Sequence, residues 1–200
     1  KKALEKEGIT KDRLFITESV SEISYKRPNK FKEKVIAVYK QGNAQASPNA
    51  YIFGSLYEPE IAETVSPLSP KSFTYYRFEY LGSFKERGYE ISKIKVTPRS
   101  KGDNVFEGII FIVEDYWSIH SVDLKTTKLG INFDVKQIYS PIDEKAWMPV
   151  SQQFVVGGSV FGFDFEGQYL ATVKDYKVFL NPALRNEITV VDDKLHKEEA

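Results

Sequence analysis

The stretch KGDNVFEGIIFIVEDYWSIHSVDLKTTK, residues 101–128, decides how the fold of this chain is interpreted. It contains two segments rich in strand-forming residues, FEGIIFIVED and WSIHSVDLKT, with a single tyrosine between them. A connection this short joins antiparallel neighbours, because a parallel pair needs a crossover of about a dozen residues or more. The stretch therefore predicts the middle of an antiparallel sheet.

The same pattern continues on both sides of this stretch. Residues 13–40 predict a hairpin around the turn RPNK, and Lys2–Glu7 predicts a short helix that ends at Gly8. From Tyr75 onward the chain predicts an antiparallel meander, which with the hairpin makes about ten strands. The meander segments are YYRFEYLGSF, YEISKIKVTP, FEGIIFIVED, WSIHSVDLKT, GINFDVKQIY, AWMPVSQQFVV, SVFGFDFEGQYLA and VKDYKVFL. The fold class is mainly β, with a few short helices.

Prolines interrupt the strand pattern over residues 41–73. SPNAYIFGSLYEP, residues 47–59, predicts a helix with Ser47 as N-cap and Pro48 at the first helical position, and SPKSF, residues 69–73, predicts a second helical turn. Ile109–Val113 is apolar without a break, so both faces of that strand must be covered. We expect the helix near Phe53 to be the lid, and an apolar ligand is the alternative cover.

The strand GINFDVKQIY separates a core side from a water side. Its apolar residues Ile131, Phe133, Val135 and Tyr139 alternate with polar ones such as Asp134. This alternation is typical of an antiparallel strand with one solvated face.

Composition excludes several classes of function. The chain has 28 basic and 28 acidic residues, so no charge footprint favours nucleic acid or an anionic membrane surface. There is no cysteine, which removes disulfides and thiolate chemistry. No apolar run approaches the roughly 20 residues of a membrane-spanning helix. There is no GxGxxG or P-loop, and no cofactor is expected.

His120 is the residue that raises the question of catalysis, because it lies among serines and aspartates. On a strand, Ser118 and His120 point the same way but sit about 6.5 Å apart, too far for a nucleophile–base hydrogen bond. Glu114 and Asp115 point to opposite faces and cannot easily share a substrate. We favour a strand histidine over a catalytic one. No carboxylate cluster has metal-ligand spacing around either histidine, so no metal site is predicted.

Aromatic residues are the candidate ligand-binding residues. Phe161, Phe163 and Phe165 form a stripe with the period of a strand, which is typical of a core face. The alternative is that a curved sheet holds rings around an apolar groove, with Gly157 and Gly158 marking a bend or hairpin. The candidates for this groove are Phe53, Tyr57, Tyr75, Tyr76, Trp117 and Trp147.

Several long strings carry a family resemblance. They are ESVSEISYKRPNKFKEKVIA, SPLSPKSF, YEISKIKVTPRSKGDNVFEGIIFIVEDYWSIHSVDLKTTKLGINFDVKQIYSPI, KAWMPVSQQF and FGFDFEGQYLATVKDYKV. They resemble a family of large Gram-negative outer-membrane proteins of unknown function. Members carry an N-terminal carboxypeptidase-regulatory-like domain and a C-terminal part that forms an outer-membrane β-barrel. The resemblance implies that this chain is a fragment from the middle region, on the periplasmic side of the outer membrane.

A second similarity concerns the fold alone. The strand order and the triplet of Trp147, Met148 and Pro149 resemble periplasmic lipoprotein carriers, in which a half-barrel of antiparallel strands wraps helices. The resemblance implies one curved-sheet domain over residues 1–182. Residues 183–200 would be a charged C-terminal segment that leads to a missing downstream region.

We therefore expect a non-enzymatic domain that binds an apolar or extended ligand or supports the barrel of its own protein. Its expected partners are a lipid or other apolar molecule, a polypeptide, or the parent's own β-barrel, and nucleic acid is not expected. Two alternatives stay open: a purely structural spacer, and a hydrolase that uses His120.

Overall fold

Two compact units divide the chain, Lys1–Ser47 and Pro48–Ala200. The computed structural model describes residues 16–26, 30–41, 54–102, 104–160 and 163–179. The charged segment expected at residues 183–200 and the short helix expected at Lys2–Glu7 lie outside the described residues. The domain boundary at residue 182 stays a prediction.

The first unit contains one long hairpin. Strand β1, Ile16–Lys26, pairs antiparallel with β2, Lys30–Gln41, which confirms the hairpin expected around RPNK. Val20 pairs with Ala37 and Ser21 with Val35, so Ile36 is an extra residue and forms a bulge.

The second unit is built on one open sheet. Its strands follow each other in chain order as a seven-stranded antiparallel meander, β11-β10-β9-β8-β7-β6-β5, so β5 and β11 are the edges. The strands are β5, Tyr76–Glu86; β6, Tyr89–Pro98; β7, Glu107–Val113; β8, Ser118–Lys128; β9, Ile131–Ile142; β10, Ala146–Val160; and β11, Phe163–Thr172. The sheet confirms the expected mainly β meander.

The main core lies on one face of this sheet. A cross-strand row of Val96, Leu124, Val135 and Phe154 is buried there, with Ile110 and Val122 in the next row. Residues that precede the sheet cover it and belong to the same buried cluster: Leu56, Ile61 and Val65. Apolar burial on this face is the main stabilising contribution to the second unit.

The described part of the cover is irregular chain, and the helix expected over residues 47–59 is not formed over residues 54–59. Residues 54–59 form turns. They are followed by the tiny hairpin of β3, Glu60–Ile61, and β4, Thr64–Val65. Loop hydrogen bonds satisfy the backbone: the Ser66 amide donates to the Pro59 carbonyl at 3.0 Å, and the Val65 amide to the Asn104 carbonyl at 2.9 Å. Phe53 and the start of the predicted helix lie outside the described residues.

A single-turn helix, α1, Ser72–Tyr75, follows Ser69 and Pro70, where the second helical turn was expected. No helix in the described part of the chain is long and apolar enough to cross a bilayer.

Two expectations about the end of the meander are wrong. Residues 173–179 are not a strand. The Val173 amide still donates to the Val150 carbonyl of β10 at 3.1 Å, in the register of β11, and the Tyr176 hydroxyl donates to the Pro149 carbonyl. These two bonds hold the start of the segment beside β10. Of the bend or hairpin expected at Gly157 and Gly158, the hairpin is wrong, since β10 runs through both and pairs with β11 at each, and the bend stays a prediction.

Candidate functional site

Three tight turns lie at one end of the sheet. Consecutive strands of a meander run in opposite directions, so every second connection falls on the same side. Here these are the turns after β5, β7 and β9, which contain Arg87, Asp115 and Glu144 respectively. We call this side of the sheet the hairpin end.

Six rings meet at the hairpin end. The centroid of Tyr116 lies 5.9 Å from Tyr89, Tyr89 lies 5.1 Å from Trp147, and Trp147 lies 6.1 Å from His120. His120 lies 6.5 Å from Phe84, and Phe84 lies 6.1 Å from Phe111. All five contacts are edge-on or tilted, the geometry that aromatic pairs favour. We call these six residues the aromatic cluster.

The aromatic cluster joins strands that are far apart in the sheet order. Tyr89 lies on β6 and Trp147 on β10, with three strands between them. In a flat sheet such strands would be separated by about 19 Å. Their ring centroids lie 5.1 Å apart, so the sheet curls at the hairpin end, where Trp147 also packs against the main core.

A small second core lies beneath the cluster. Phe84, Ile91 and Val113 form a cross-strand row, and Ile91 and Val113 have no exposed surface. Neither belongs to the main buried cluster. The rings of Phe84 and Phe111 share their face of the sheet, so they contribute to this burial.

His120 reaches the cluster because it is a bulge residue. Phe111 pairs with Ser121 and Ile112 with Ile119, which leaves His120 without a partner in the ladder. A bulge redirects side chains and increases the local twist. The neighbouring Ile119 amide donates to the hydroxyl of Tyr57 at 2.8 Å, so a residue of the cover satisfies the backbone beside the bulge.

The polar surroundings of His120 differ from those expected for a regular strand. Its Nδ1 lies 3.2 Å from the Oγ of Ser121, and its Nε2 lies 3.7 Å from a carboxylate oxygen of Glu86. Burial lowers the pKa of His120, the nearby Glu86 carboxylate partly opposes this by raising it, and Arg87 lowers it further. The ring is therefore neutral at pH 7, so its contact with Glu86 is not a full ion pair.

The structure brings three of the predicted ligand-binding residues to this region. Trp147 belongs to the aromatic cluster, and Trp117 lies in the adjoining turn with 82% of its surface exposed. Tyr57 approaches through its bond to Ile119. Phe53 lies outside the described residues, as do the side chains of Phe161, Phe163 and Phe165.

Tyr75 and Tyr76 lie elsewhere. Tyr75 packs against the main core, and Tyr76 is fully buried within it. The Tyr76 hydroxyl donates to the Val65 carbonyl and accepts from the Phe106 amide at 3.0 Å. Burial raises the pKa of Tyr76 to about 12, although the bond from Phe106 lowers it. Both hydrogen-bonding functions of this hydroxyl are used by the fold.

The chain matches the model of a protein family. The model of a family of unknown function, DUF5686, matches residues 1–176. The chain belongs to this family. No curated protein and no solved structure matches it significantly.

Sequence reasoning missed four rings of this DUF5686 chain, namely Phe84, Tyr89, Phe111 and Tyr116. It also missed the polar neighbours Glu86 and Ser121. One signal could have found most of them: Phe84, Tyr89, Tyr116 and Trp147 all lie within a few residues of turns that a meander places at one end. The bulge at His120 has no such signal, because a one-residue insertion leaves the apolar alternation of short segments ambiguous.

The side chains at the site are suited mainly to non-covalent binding. Across the described ranges, no three side chains of His, Asp or Glu are grouped to hold a metal ion. The arrangement offers ring surfaces, one neutral imidazole and nearby carboxylates. These groups suit binding of an apolar or cationic group.

Proposed function

We propose that this DUF5686 chain is a non-enzymatic domain on the periplasmic side of an outer-membrane protein. Its role is to bind an apolar or extended partner, or to support the β-barrel of its own protein. The resemblance of its long sequence strings to a Gram-negative outer-membrane family supports the location. The open, locally curled sheet supports a half-barrel with a surface on which a partner can bind.

The proposal depends on one face of the sheet, along which the side chains change from charged pairs to aromatic rings. In the middle of the sheet this face holds a ladder of paired charges: Lys95 with Glu79 at 3.6 Å, and Lys136 with Asp123 at 3.3 Å. Exposed pairs of this kind are typical of a surface that faces water. At the hairpin end the same face holds rings, and Tyr116 is 57% exposed. Exposed grouped rings are typical of a contact surface.

The edge strand β5 adds a second means of binding. Among the described strands none pairs with its outer side, and it carries exposed Tyr80 and Leu81 at a bulge. An extended polypeptide can pair with such an edge through main-chain hydrogen bonds. Phe84 lies on the same strand, so an edge-bound partner would also reach the aromatic cluster.

Native mass spectrometry of the protein expressed in a periplasm, with lipid extraction of the same sample, tests the proposal. We expect a defined added mass, reduced in Tyr116→Ser because that ring is exposed and not needed for the main core. If the wild-type mass is apo, pull-down with the parent's barrel is the next measurement. No bound molecule and no captured barrel would support the structural spacer instead.

One observation favours hydrolysis as a second function: His120 lies between the Ser121 hydroxyl and the Glu86 carboxylate. A serine hydroxyl as nucleophile, an imidazole as base and a nearby carboxylate are the groups that catalyse acyl transfer in serine hydrolases. A fluorophosphonate probe tests this function, since an activated serine becomes covalently labelled. Labelling that disappears in Ser121→Ala would establish it, and an unlabelled wild type would exclude serine-based hydrolysis.

A further inference from the structure

The small hairpin of β3 and β4 is fixed at its base. We call this hairpin, Glu60–Val65, the flap. The Ser66 amide donates to the Pro59 carbonyl at 3.0 Å, which closes the loop from which the flap projects. The carbonyl of Val65 accepts a hydrogen bond from the buried hydroxyl of Tyr76. The base of the flap therefore belongs to the rigid part of the second unit.

One lysine links the tip of the flap to the main sheet. Lys128, the last residue of β8, donates from Nζ to the Ala62 carbonyl and lies 3.3 Å from a carboxylate oxygen of Glu63. The Glu63 side chain is 94% exposed, so water screens that ion pair. The bond to the carbonyl is partly buried and charge-assisted, and it is the stronger of the two contacts.

The turn at the tip has an unfavourable backbone conformation. Ala62 and Glu63 have φ of 47° and 63°, a region that costs free energy for a residue with a Cβ. The turns Arg87–Gly88 and Leu129–Gly130 also have two positive φ angles, but their second residue is glycine. In the turn Asp143–Glu144 the first residue is aspartate, which tolerates this region. The tip of the flap has neither form of relief.

A buried hydroxyl without a partner lies beside this turn. Thr64 has no exposed surface, and within the described part of the chain its Oγ1 is the buried side-chain polar atom that lacks a hydrogen bond. Such a group loses its hydration without compensation, so it destabilises the closed flap. Ile61 has the opposite effect, because it is 4% exposed and belongs to the main core.

Two independent features of the flap, its turn and its buried hydroxyl, thus favour an open state, and Ile61 and Lys128 oppose them. We infer that the flap opens while the sheet stays folded, and that Lys128 is its latch. Opening removes Ile61 from the main core and exposes the core at the end of β8 opposite the hairpin end. The flap is independent of the proposed binding function, because the aromatic cluster lies at the other end.

Thiol labelling of the whole protein tests the flap. The chain has no cysteine, so an introduced thiol gives a signal without background. Ile61→Cys and Ile110→Cys are a matched pair: both isoleucines are 4% exposed in the main core, but Ile110 lies in β7, an interior strand. With an aromatic disulfide reagent and no denaturant, Ile61→Cys should react at least about a hundredfold faster, because Ile110→Cys must wait for global unfolding. Urea denaturation of both variants corrects the rates for any difference in global stability.

Substitutions in the Ile61→Cys protein test the latch. Lys128→Met keeps most of the apolar stem and removes the bond to the flap, so labelling should become about tenfold faster. Lys125→Met is the control, because this lysine of the same strand pairs with Asp134 at 3.5 Å, and labelling should not change. Thr64→Val removes the unpaired hydroxyl at similar shape, so labelling should become about fivefold slower.

Equal corrected rates for Ile61→Cys and Ile110→Cys would overturn the flap, because both thiols would then react only after global unfolding. Equal effects of Lys128→Met and Lys125→Met would overturn the latch. Hydrogen exchange of the wild type gives an answer without any variant. The amides of Ile61 and Thr64, the pair that closes the turn, should exchange through a smaller opening than the amides of β7. Exchange of both sets only on global unfolding would also overturn the flap.

Discussion

At the scale of single residues, two positions set a local backbone geometry that cannot be predicted from the residue type alone. Gly108 lies in β7 with φ of 141°, and His120 is the bulge residue of β8. One permits a close approach of two backbones, and the other carries a titratable ring into an aromatic cluster. Each leads to a prediction.

Gly108→Ala should strongly destabilise the second unit. A Cβ at this position would lie 2.1 Å from the Asp123 carbonyl oxygen, which is backbone and cannot move aside cheaply. We expect the free energy of unfolding to fall by about 3 kcal/mol in urea denaturation. Gly102→Ala is the control, because its Cβ would meet nothing closer than the Asn104 side chain at 3.4 Å. Equal effects would contradict the close approach.

His120 should make the protein less stable in acid. Burial lowers its pKa below the ordinary value of about 6.5, so the folded state binds fewer protons than the unfolded state. Its contribution is complete above the unfolded pKa and is lost as pH falls through the folded pKa. Between about pH 8 and about pH 5, the urea midpoint should therefore fall further for the wild type than for His120→Phe, which keeps a ring.

Parallel curves for the two proteins would mean that His120 does not titrate in this range. Glu86 and Arg87 face the same ring, and both remain in the variant. The comparison therefore isolates the imidazole from its charged neighbours.

At the scale of elements, a buried polar network links β9 and β10. Gln137 donates from Nε2 to the Oε1 of Gln152 at 3.0 Å, and the Tyr139 hydroxyl donates to the Oε1 of Gln137 at 3.0 Å. All three residues are buried, and burial raises the pKa of Tyr139 well above its usual range. The bonds form only in the observed pairing of Gln137 with Gln152, so they favour this register.

Gln152→Leu should destabilise the sheet by about 1–3 kcal/mol, because the buried Nε2 of Gln137 loses its acceptor. The triple variant Q137L/Y139F/Q152L should recover much of this loss, since it removes donors and acceptors together at similar volume. Urea denaturation of the wild type and both variants measures the effect. A triple variant less stable than the single one would show that the network contributes net stability.

At the scale of the whole molecule, the two units differ in how they can be stabilised. The described members of the main core all come from residues 56–169, within the second unit. The described part of the first unit is one two-stranded hairpin, and its Val20 and Ile36 are exposed. An isolated hairpin of two strands is marginally stable at best in water.

Residues 48–200 expressed alone should therefore unfold cooperatively, with the near-ultraviolet circular dichroism of packed aromatic rings. Residues 1–47 alone should lack a cooperative transition. Thermal scans of both pieces check this. An unfolded 48–200 piece would show that the sheet depends on the first unit.

The mainly β meander, its chain order and the hairpin before it followed from sequence because short connections and alternating residues are local signals. The core side of β9 also followed, with Val135 and Tyr139 buried. Gln137 did not, since amide residues are mostly exposed and only the paired Gln152 makes its burial possible. The predicted helix was wrong over residues 54–59, where the Leu56 and Pro59 carbonyls accept hydrogen bonds from Ser66 instead of from a following helical turn.

The sequence by itself determined the fold class and the family of this protein, because alternation, turn residues and string similarity are properties of neighbouring positions. Only the tertiary structure decided which rings meet. Tyr89 and Trp147 touch because the sheet curls, and His120 joins them because one residue is inserted in β8. Curl and register arise from pairing between distant segments, so no local pattern could place the aromatic cluster.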